Sequence, residues 1–216
     1  MTLPESLWEF DRQFYERGVR LLCGVDEAGR GPLAGPVVAA AVVFTSEIRI
    51  PRVDDSKKLS PRLRESLYDE IADAAHTFAA GIVDNLQIDR INILAATHMA
   101  ARQAIEQLGD RPDLIITDYL ALKNTPAPVE SFVRGDARSH AIAAASIIAK
   151  VTRDRLMMEY HARYPEYNFA GNKGYGTKEH IEALKRHGPS PIHRFTFRPL
   201  SDWGERLGSD PPLTYT

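Results

Sequence analysis

The sequence predicts an α/β fold in which a mixed five-stranded sheet carries helices on its faces. Five short runs rich in Val, Ile and Ala alternate with longer segments whose apolar residues recur every three or four positions. The first three runs can form a meander, and a helical crossover separates them from the last two. The chain has 216 residues, 44% of them hydrophobic, so it is long enough for one domain of this kind.

The five predicted strands differ in how completely apolar they are. The second strand is nearly continuous in Val and Ala, as expected of a strand buried at the centre of a sheet. The first strand runs up to a pair of acids, and the fourth leads into a third acid. The predicted strands are 20–25, 36–44, 77–83, 113–117 and 129–133.

Capping and breaking residues define the predicted helices. Ser60 and Pro61 supply an N-cap and a first-turn proline, and Thr177 caps the last clear helix. Gly109 closes one helix and Pro165 ends the longest one. The predicted helices are 5–17, 62–75, 84–109, 139–163 and 178–187. We expect a single domain over 1–216, with a core of about 18–200 and a peripheral tail at 201–216.

Composition excludes several classes of protein. No stretch approaches the roughly 20 apolar residues of a membrane span, and the first twenty residues lack the apolar centre of a signal peptide. A single cysteine, Cys23, rules out an internal disulfide and agrees with a reducing compartment. We therefore expect a cytoplasmic protein. We also expect it to be a monomer.

The charges are unevenly distributed along a chain whose formal net charge is only -2. The segment 171–198 holds six basic residues against Glu179 and Glu182, so it is positive while the remainder is negative. A basic patch of this kind is compatible with phosphate binding, and equally with a solvated helix face. The six basic residues are Lys173, Lys178, Lys185, Arg186, Arg194 and Arg198.

The most unusual stretch of the sequence is 23–35, where the adjacent acids Asp26 and Glu27 precede a turn of Gly29, Arg30 and Gly31. Glycines let backbone N–H groups approach a polar ligand closely. If helix 84–109 is a crossover that sets the fourth strand parallel to the first, Asp118 lies beside Asp26 at one edge of the sheet, where ligands of open α/β sheets bind. Asp136, just before the longest helix, can supply a fourth carboxylate.

Four carboxylates without histidine or cysteine partners favour Mg²⁺ or Mn²⁺ over zinc. Two such ions about 4 Å apart can activate a water molecule and stabilise the leaving oxygen in phosphodiester cleavage. Taken singly, each acid also has an ordinary structural interpretation, because Asp at the end of a strand commonly forms a turn or caps a helix.

A competing motif covers the same turn. The run from Gly29 to Ala34 formally fits the G-x-G-x-x-G/A fingerprint of dinucleotide-binding proteins. That fingerprint requires a helix after the turn, whereas a strand follows here, so a bound pyrophosphate would lose its helix N-terminus. The dinucleotide interpretation is therefore disfavoured.

Along residues 18–200 the sequence resembles ribonuclease HII. Any one of the shared blocks could arise by chance, but six of them in this order are specific. The blocks are 24–37 with Asp26 and Glu27, Asp55-Ser-Lys-Lys-Leu-Ser, Ile116-Thr-Asp118, Gly135-Asp136 with 143–154, Asn172-Lys-Gly-Tyr175-Gly-Thr and Ser190-Pro-Ile-His-Arg194.

The resemblance implies an RNase H-like fold and an endonuclease that cleaves the RNA strand of RNA–DNA hybrids. It also implies nicking on the 5' side of a single ribonucleotide in duplex DNA, leaving 3'-hydroxyl and 5'-phosphate ends. By resemblance, Asp26, Glu27, Asp118 and Asp136 are the catalytic and metal-binding acids.

The same resemblance implies the substrate contacts. Main-chain groups of Gly29, Arg30 and Gly31 would contact the 2'-hydroxyl, the group that distinguishes RNA from DNA. Tyr175 would stack on the sugar that follows the ribonucleotide. Lys57 and Lys173 would meet phosphates, although lysines in polar loops are ordinarily just solvated.

Two further residues, His193 and Arg194, remain open between phosphate contacts and braces for the C-terminal helix. Ribonuclease HIII, the related family, carries an extra N-terminal domain and a glutamate as its fourth acid, so this chain is closer to ribonuclease HII. The departures from the family pattern are Tyr119 in place of glycine, Arg134 in place of lysine and Thr196 in place of serine.

The expected partners are RNA–DNA hybrids and duplex DNA containing ribonucleotides, with a sliding clamp as a possible partner that the tail at 201–216 does not reveal. The alternative function is a catalytically silent nucleic-acid-binding protein of the same fold. Failure to cleave a hybrid that it binds would favour the silent protein.

Overall fold

The computed structural model describes residues 6–207, in which the five predicted strands are all present. The strands are β1 (Leu22–Ala28), β2 (Val37–Phe44), β3 (Thr77–Val83), β4 (Leu114–Asp118) and β5 (Val129–Phe132). The α-helices are α1 (Ser6–Glu16), α2 (Pro61–Ala74), α3 (Asn85–Ile91), α4 (Ile93–Glu106), α5 (His140–Arg163), α6 (Phe169–Asn172), α7 (Lys178–His187) and α8 (Leu200–Leu207). Short 3₁₀ turns at Gly135–Ala137 and Pro165–Tyr167 precede α5 and α6.

The strands form one mixed sheet in the order β3-β2-β1-β4-β5. β1, β2 and β3 form the expected antiparallel meander. β4 pairs with β1 in parallel, and β5 pairs with β4 in parallel. The predicted fold class, a mixed five-stranded sheet flanked by helices, is therefore confirmed.

Helices cover the sheet on both faces. Residues of α1, α2 and α5 share a core with one face, and α3 and α4 share a core with the other. The first ten residues of α5, 140–149, are all buried. The helix lies so close to β1 that a Cβ atom on Gly24 would be 2.1 Å from the carbonyl carbon of Ala141. This close approach fixes the N-terminus of α5 against β1.

Two predicted elements differ from the structure. The helix expected over 84–109 is two helices, because the backbone of Asn92 is non-helical, with a positive φ of +67°, and its side chain caps α4 by accepting a hydrogen bond from Ala95 N. Strand β1 continues beyond the predicted end at residue 25, so that Asp26 and Glu27 lie within the strand.

The C-terminal segments form a third core beside α5. This cluster includes Met157, Phe169 and Leu184, and the first turn of α8 adds Leu200 and Trp203. The end of the predicted tail, 208–216, lies outside the described residues. Among residues 6–207, no helix is both long enough and apolar enough to span a membrane.

Candidate active site

Asp26 and Asp118 are neighbours at the carboxyl edge of the sheet. In the parallel pair of β1 and β4, Val25 lies opposite Thr117, so the next residue on each strand is an acid. Asp26 is buried, with only 6% of its surface exposed. The crossover predicted from the sequence thus brings together two carboxylates that are distant in the chain.

Asp136 reaches the same edge through the short turn before α5. Asp118 anchors this turn, because its Oδ1 accepts a hydrogen bond of 2.7 Å from the Gly135 N–H. Position 135 has little room for a side chain, since a Cβ atom there would lie 2.6 Å from Cδ1 of Ile142. Ser139 then caps α5 by accepting from Ile142 N. The buried Asp136 is held beside Asp118 by these local contacts.

The four predicted acids interact electrostatically. Burial raises the pKa of Asp26 well above its usual value, and the charges of Glu27, Asp118 and Asp136 raise it further. Burial is also the main reason that the pKa values of Glu27 and Asp118 are raised. A site that disfavours its own negative charges in this way gains stability when a cation binds.

Glu27 has one satisfied and one unsatisfied carboxylate oxygen. Its Oε1 accepts a 3.1 Å hydrogen bond from Arg30 Nη1, whereas its buried Oε2 has no hydrogen-bond partner. A buried carboxylate oxygen without a donor is costly, and a divalent cation is one group that would satisfy it. The orphaned oxygen and the all-carboxylate donor set both fit a hard ion such as Mg²⁺ or Mn²⁺.

Lysine and arginine already offset part of the negative charge. Lys57 Nζ lies 3.2 Å from Oδ2 of Asp136, although the lysine side chain is 77% exposed. Within residues 6–207, no group of three or more His, Cys, Asp or Glu side chains is arranged to hold an ion by itself. The acids therefore lie within electrostatic reach of one another without forming a closed set of ligands.

The glycine turn lies directly after β1, beside these acids. Gly29 has φ +99°, a conformation that favours glycine, and a Cβ atom there would lie 2.2 Å from Nε of Arg153. Gly31 faces Tyr175, since its Cβ position is 3.7 Å from Cε1 of that ring. The turn and the tyrosine, far apart in sequence, thus lie next to each other, and we call the surface between them the recess.

Lys173 and Tyr175 belong to the loop between α6 and α7. Tyr175 is 47% exposed, as a surface that receives a ligand must be. Lys173 Nζ donates to the carbonyl oxygen of Ala170 at 2.7 Å. The loop is tied to the segment after the turn by a 2.8 Å hydrogen bond from Leu33 N to Gly174 O.

His193 and Arg194, whose role the sequence left open, are both fully buried, so neither forms part of an exposed phosphate-binding patch. Arg194 donates to the carbonyl oxygens of Gly29, Arg30 and Gly35. It therefore braces the glycine turn, and it does not belong to the solvated basic face that the charge count of 171–198 indicated.

A second buried arginine, Arg153 on α5, escaped the sequence analysis. It donates to the carbonyl oxygens of Ala34, Pro36 and Lys173 at 2.9–3.0 Å. The only signal was its place in the block 143–154 that carries the family resemblance, since nothing in the local pattern distinguishes a buried arginine from an exposed one.

Comparison with known proteins agrees with this geometry. The family model of ribonuclease HII matches residues 23–199. A ribonuclease HII from Caldanaerobacter subterraneus subsp. tengcongensis is 51% identical over 193 residues, which cover 89% of this chain and 80% of the relative. The ribonuclease H2 of Pyrococcus horikoshii OT3 has a similar structure, with a TM-score of 0.73 and 30% identity over 88% of this chain and 100% of that one.

A second structural neighbour is described as a complex of PCNA and RNase HII from Archaeoglobus fulgidus. It has a TM-score of 0.71 and 26% identity, and the match covers 82% of this chain and 95% of that one.

Proposed function

This chain belongs to the ribonuclease HII family, and from its site we propose that it nicks duplex DNA on the 5' side of a single embedded ribonucleotide. Membership of the family makes it an endonuclease of the ribonuclease H type, which acts on RNA–DNA hybrids. The observation that carries the finer proposal is the contact between Gly31 and Tyr175, which lies close to the four clustered acids.

The acids would supply the chemistry. Asp26, Glu27, Asp118 and Asp136 would hold two Mg²⁺ or Mn²⁺ ions, which activate a water molecule and stabilise the leaving oxygen when bound. Two observations support this assignment. Within residues 6–207, Oε2 of Glu27 has no hydrogen-bond donor, and burial with neighbouring negative charges raises the pKa of Asp26, so a cation bound there would stabilise both carboxylates.

The turn would supply the recognition of RNA. In the described structure, the N–H groups of Arg30 and Gly31 make no hydrogen bond to another residue, so they are free to donate to a 2'-hydroxyl. Tyr175 faces Gly31 and would stack on the next sugar, where an added hydroxyl would interfere. Reading both sugars would make the enzyme selective for the RNA–DNA junction.

Lys57 and Lys173 would contact phosphates near the site. Such contacts fix the position of the strand without reading its sequence. Because Lys57 pairs with Asp136 in the free protein, it would exchange that partner for a phosphate when ions and substrate bind.

The wider setting is also a proposal. A sliding clamp is a candidate partner, supported by the Archaeoglobus structure, whose description names PCNA together with RNase HII. We place the enzyme in the cytoplasm, in keeping with its single buried cysteine.

The proposed assignment of the acids is tested by comparing Asp26→Asn with Asp73→Asn, which replaces an exposed acid of α2. With Mg²⁺ or Mn²⁺ and an RNA–DNA hybrid, Asp26→Asn should abolish cleavage and Asp73→Asn should not. Cleavage by the wild type should stop in excess chelator. Undiminished cleavage by Asp26→Asn, or cleavage in chelator, would contradict the assignment, and binding without cleavage by the wild type would favour the silent protein instead.

A further inference from the structure

The glycine turn has an inner side that is occupied by one guanidinium group. Arg194 Nη2 lies 2.6 Å from the carbonyl oxygen of Gly29, and its Nη1 lies 3.1 Å from that of Arg30. Nε and Nη2 of the same group also donate to Gly35 O at 3.0 and 2.9 Å. Both ends of the turn are therefore tied to a single planar group.

Because the peptide bond is planar, these hydrogen bonds to the carbonyl groups also fix the direction of the neighbouring N–H groups. In a trans peptide the C=O and the N–H of the next residue point in opposite directions. Because the carbonyls of Gly29 and Arg30 point inward to Arg194, the N–H groups of Arg30 and Gly31 must point outward. These are the two donors that the proposed function assigns to the 2'-hydroxyl.

A second guanidinium sets the other wall of the recess. Arg153 lies under Gly29 and donates to Ala34 O and Pro36 O on one side and to Lys173 O on the other. Tyr175 follows two residues after Lys173. Arg153 therefore links the segment after the turn to the loop that carries the tyrosine.

Both arginines are unusual because, in the part of the chain that the structure describes, they are buried without a carboxylate partner. Both are fully buried, and among the described residues neither forms a salt bridge with a carboxylate. Burying a charge without an opposite charge is costly unless every donor is satisfied, and here only backbone carbonyls satisfy the two groups. The rigid fork of arginine holds several carbonyls at fixed spacing, which a lysine cannot reproduce.

We propose that Arg194 and Arg153 are positioning residues for ribonucleotide recognition, with separate tasks. Arg194 aims the two N–H groups that read the 2'-hydroxyl, and Arg153 sets the distance between the turn and Tyr175. This inference rests on the proposed function, because it concerns how the same recess distinguishes ribose from deoxyribose.

The test uses fluorescent duplexes and the purified full chain, with Ca²⁺ replacing the catalytic ion so that binding is measured without turnover. For each protein, the dissociation constant of an all-DNA duplex is divided by that of the same duplex with one ribonucleotide. Arg194→Lys should lower this ratio about tenfold, the equivalent of one lost hydrogen bond. Arg198→Lys, a change at an exposed arginine nearby, should leave the ratio unchanged.

Arg153→Lys should act on the junction instead. It should weaken the preference for a ribonucleotide followed by DNA over a ribonucleotide followed by a second ribonucleotide. The matched control is Arg155→Lys, because Arg155 lies two residues after Arg153 on α5 and its side chain is exposed.

The outcomes separate the two claims. If the wild type shows no preference for the ribonucleotide, the proposed function fails. If the wild type shows the preference and folded Arg194→Lys keeps all of it, the positioning role fails. A purely structural role would lower the unfolding temperature and the active fraction but not the ratio of dissociation constants. Failure of both variants to fold, even in the cold, would make the arginines structural and would also overturn the proposal.

Discussion

The ammonium group of Lys57 lies 3.2 Å from a carboxylate oxygen of Asp136, the acid that precedes the longest helix. The lysine comes from a loop 79 residues earlier in the chain and remains mostly exposed. An exposed monovalent cation thus lies beside an acid that we propose binds divalent ions, so the two cations would compete for it.

Removing this competitor should strengthen ion binding. Lys57→Met eliminates the repulsion between the ammonium and a bound ion, so the affinity for Mn²⁺ without substrate should rise roughly twofold to fivefold, as expected for an exposed ion pair. Isothermal titration with Mn²⁺ measures this directly. Lys58→Met is the matched control, because Lys58 pairs with Asp54. Equal or weaker Mn²⁺ binding by Lys57→Met would contradict the interpretation.

A methyl group on Gly31 should disturb recognition while leaving the fold intact. The added Cβ would lie 3.7 Å from Tyr175, an ordinary contact, yet it would narrow the recess that receives the sugar. We expect Gly31→Ala to weaken binding of a one-ribonucleotide duplex about tenfold more than binding of all-DNA duplex. Gly109→Ala is the matched control, because the Cβ atom added there would also lie 3.7 Å from its nearest neighbour, Thr77 Oγ1. Equal losses for both duplexes would argue against a role for the turn.

Tyr119, the residue after Asp118, should be replaceable by glycine with a gain in stability. Its backbone is left-handed, with φ +54°, and the residue is 76% exposed, so strain is removed and little packing is lost. Tyr119→Gly should raise the free energy of unfolding by about 0.5–1 kcal/mol after the entropy of glycine in the unfolded chain is included. Tyr119→Ala keeps a Cβ atom in the strained conformation, so its free energy of unfolding should not rise. Urea denaturation of both variants decides the point, and a glycine variant no more stable than the alanine variant would refute it.

The buried pair of His180 and His193 should make the protein sensitive to acid. His180 Nδ1 donates to Tyr175 O at 2.8 Å, so its Nε2 accepts from His193 Nε2 at 2.9 Å, and His193 Nδ1 accepts from Ser190 N. A second proton on either ring would occupy the nitrogen that now accepts a hydrogen bond, and that hydrogen bond would be lost. Burial, with the neighbouring His180, lowers the pKa of His193 from 6.5 to about 3.

Because the folded pKa is lower than the unfolded one, the unfolded state binds more protons between these values, and stability falls as the pH drops from about 6.5 towards about 3. His193→Asn keeps an acceptor for Ser190 N and removes the titrating group. The difference in unfolding free energy between pH 7 and pH 4 should therefore be smaller in this variant. An unchanged difference would show that other groups cause the acid sensitivity.

The fold was largely predictable because its strands are continuous apolar runs bounded by turns. The parallel crossover also predicted that Asp26 and Asp118 meet. The break at Asn92 was not predictable, since an asparagine that caps a new helix looks like any polar residue in a helical pattern. Asp136 could be proposed as a fourth carboxylate because it precedes the longest helix, but its exact position was not predictable, because it depends on how Gly135 packs on Ile142.

The positioning arginines show why part of the site was not predictable. Arginine is usually exposed, so a charge count assigns Arg194 to a basic surface. Its burial depends on carbonyl oxygens of residues 29–35, more than 150 positions away, whose direction is set by the turn itself. Local sequence patterns carry no information about such a contact.

Product mapping on a duplex DNA with one ribonucleotide tests most directly where the enzyme cuts. The strand is labelled at each end in turn and incubated with the enzyme and Mg²⁺ or Mn²⁺, beside an identical all-DNA duplex. We predict one nick on the 5' side of the ribonucleotide, with 3'-hydroxyl and 5'-phosphate ends, and no cleavage of the all-DNA duplex. An intact strand, a cut on the 3' side of the ribonucleotide, or equal cleavage of the all-DNA duplex would contradict the account.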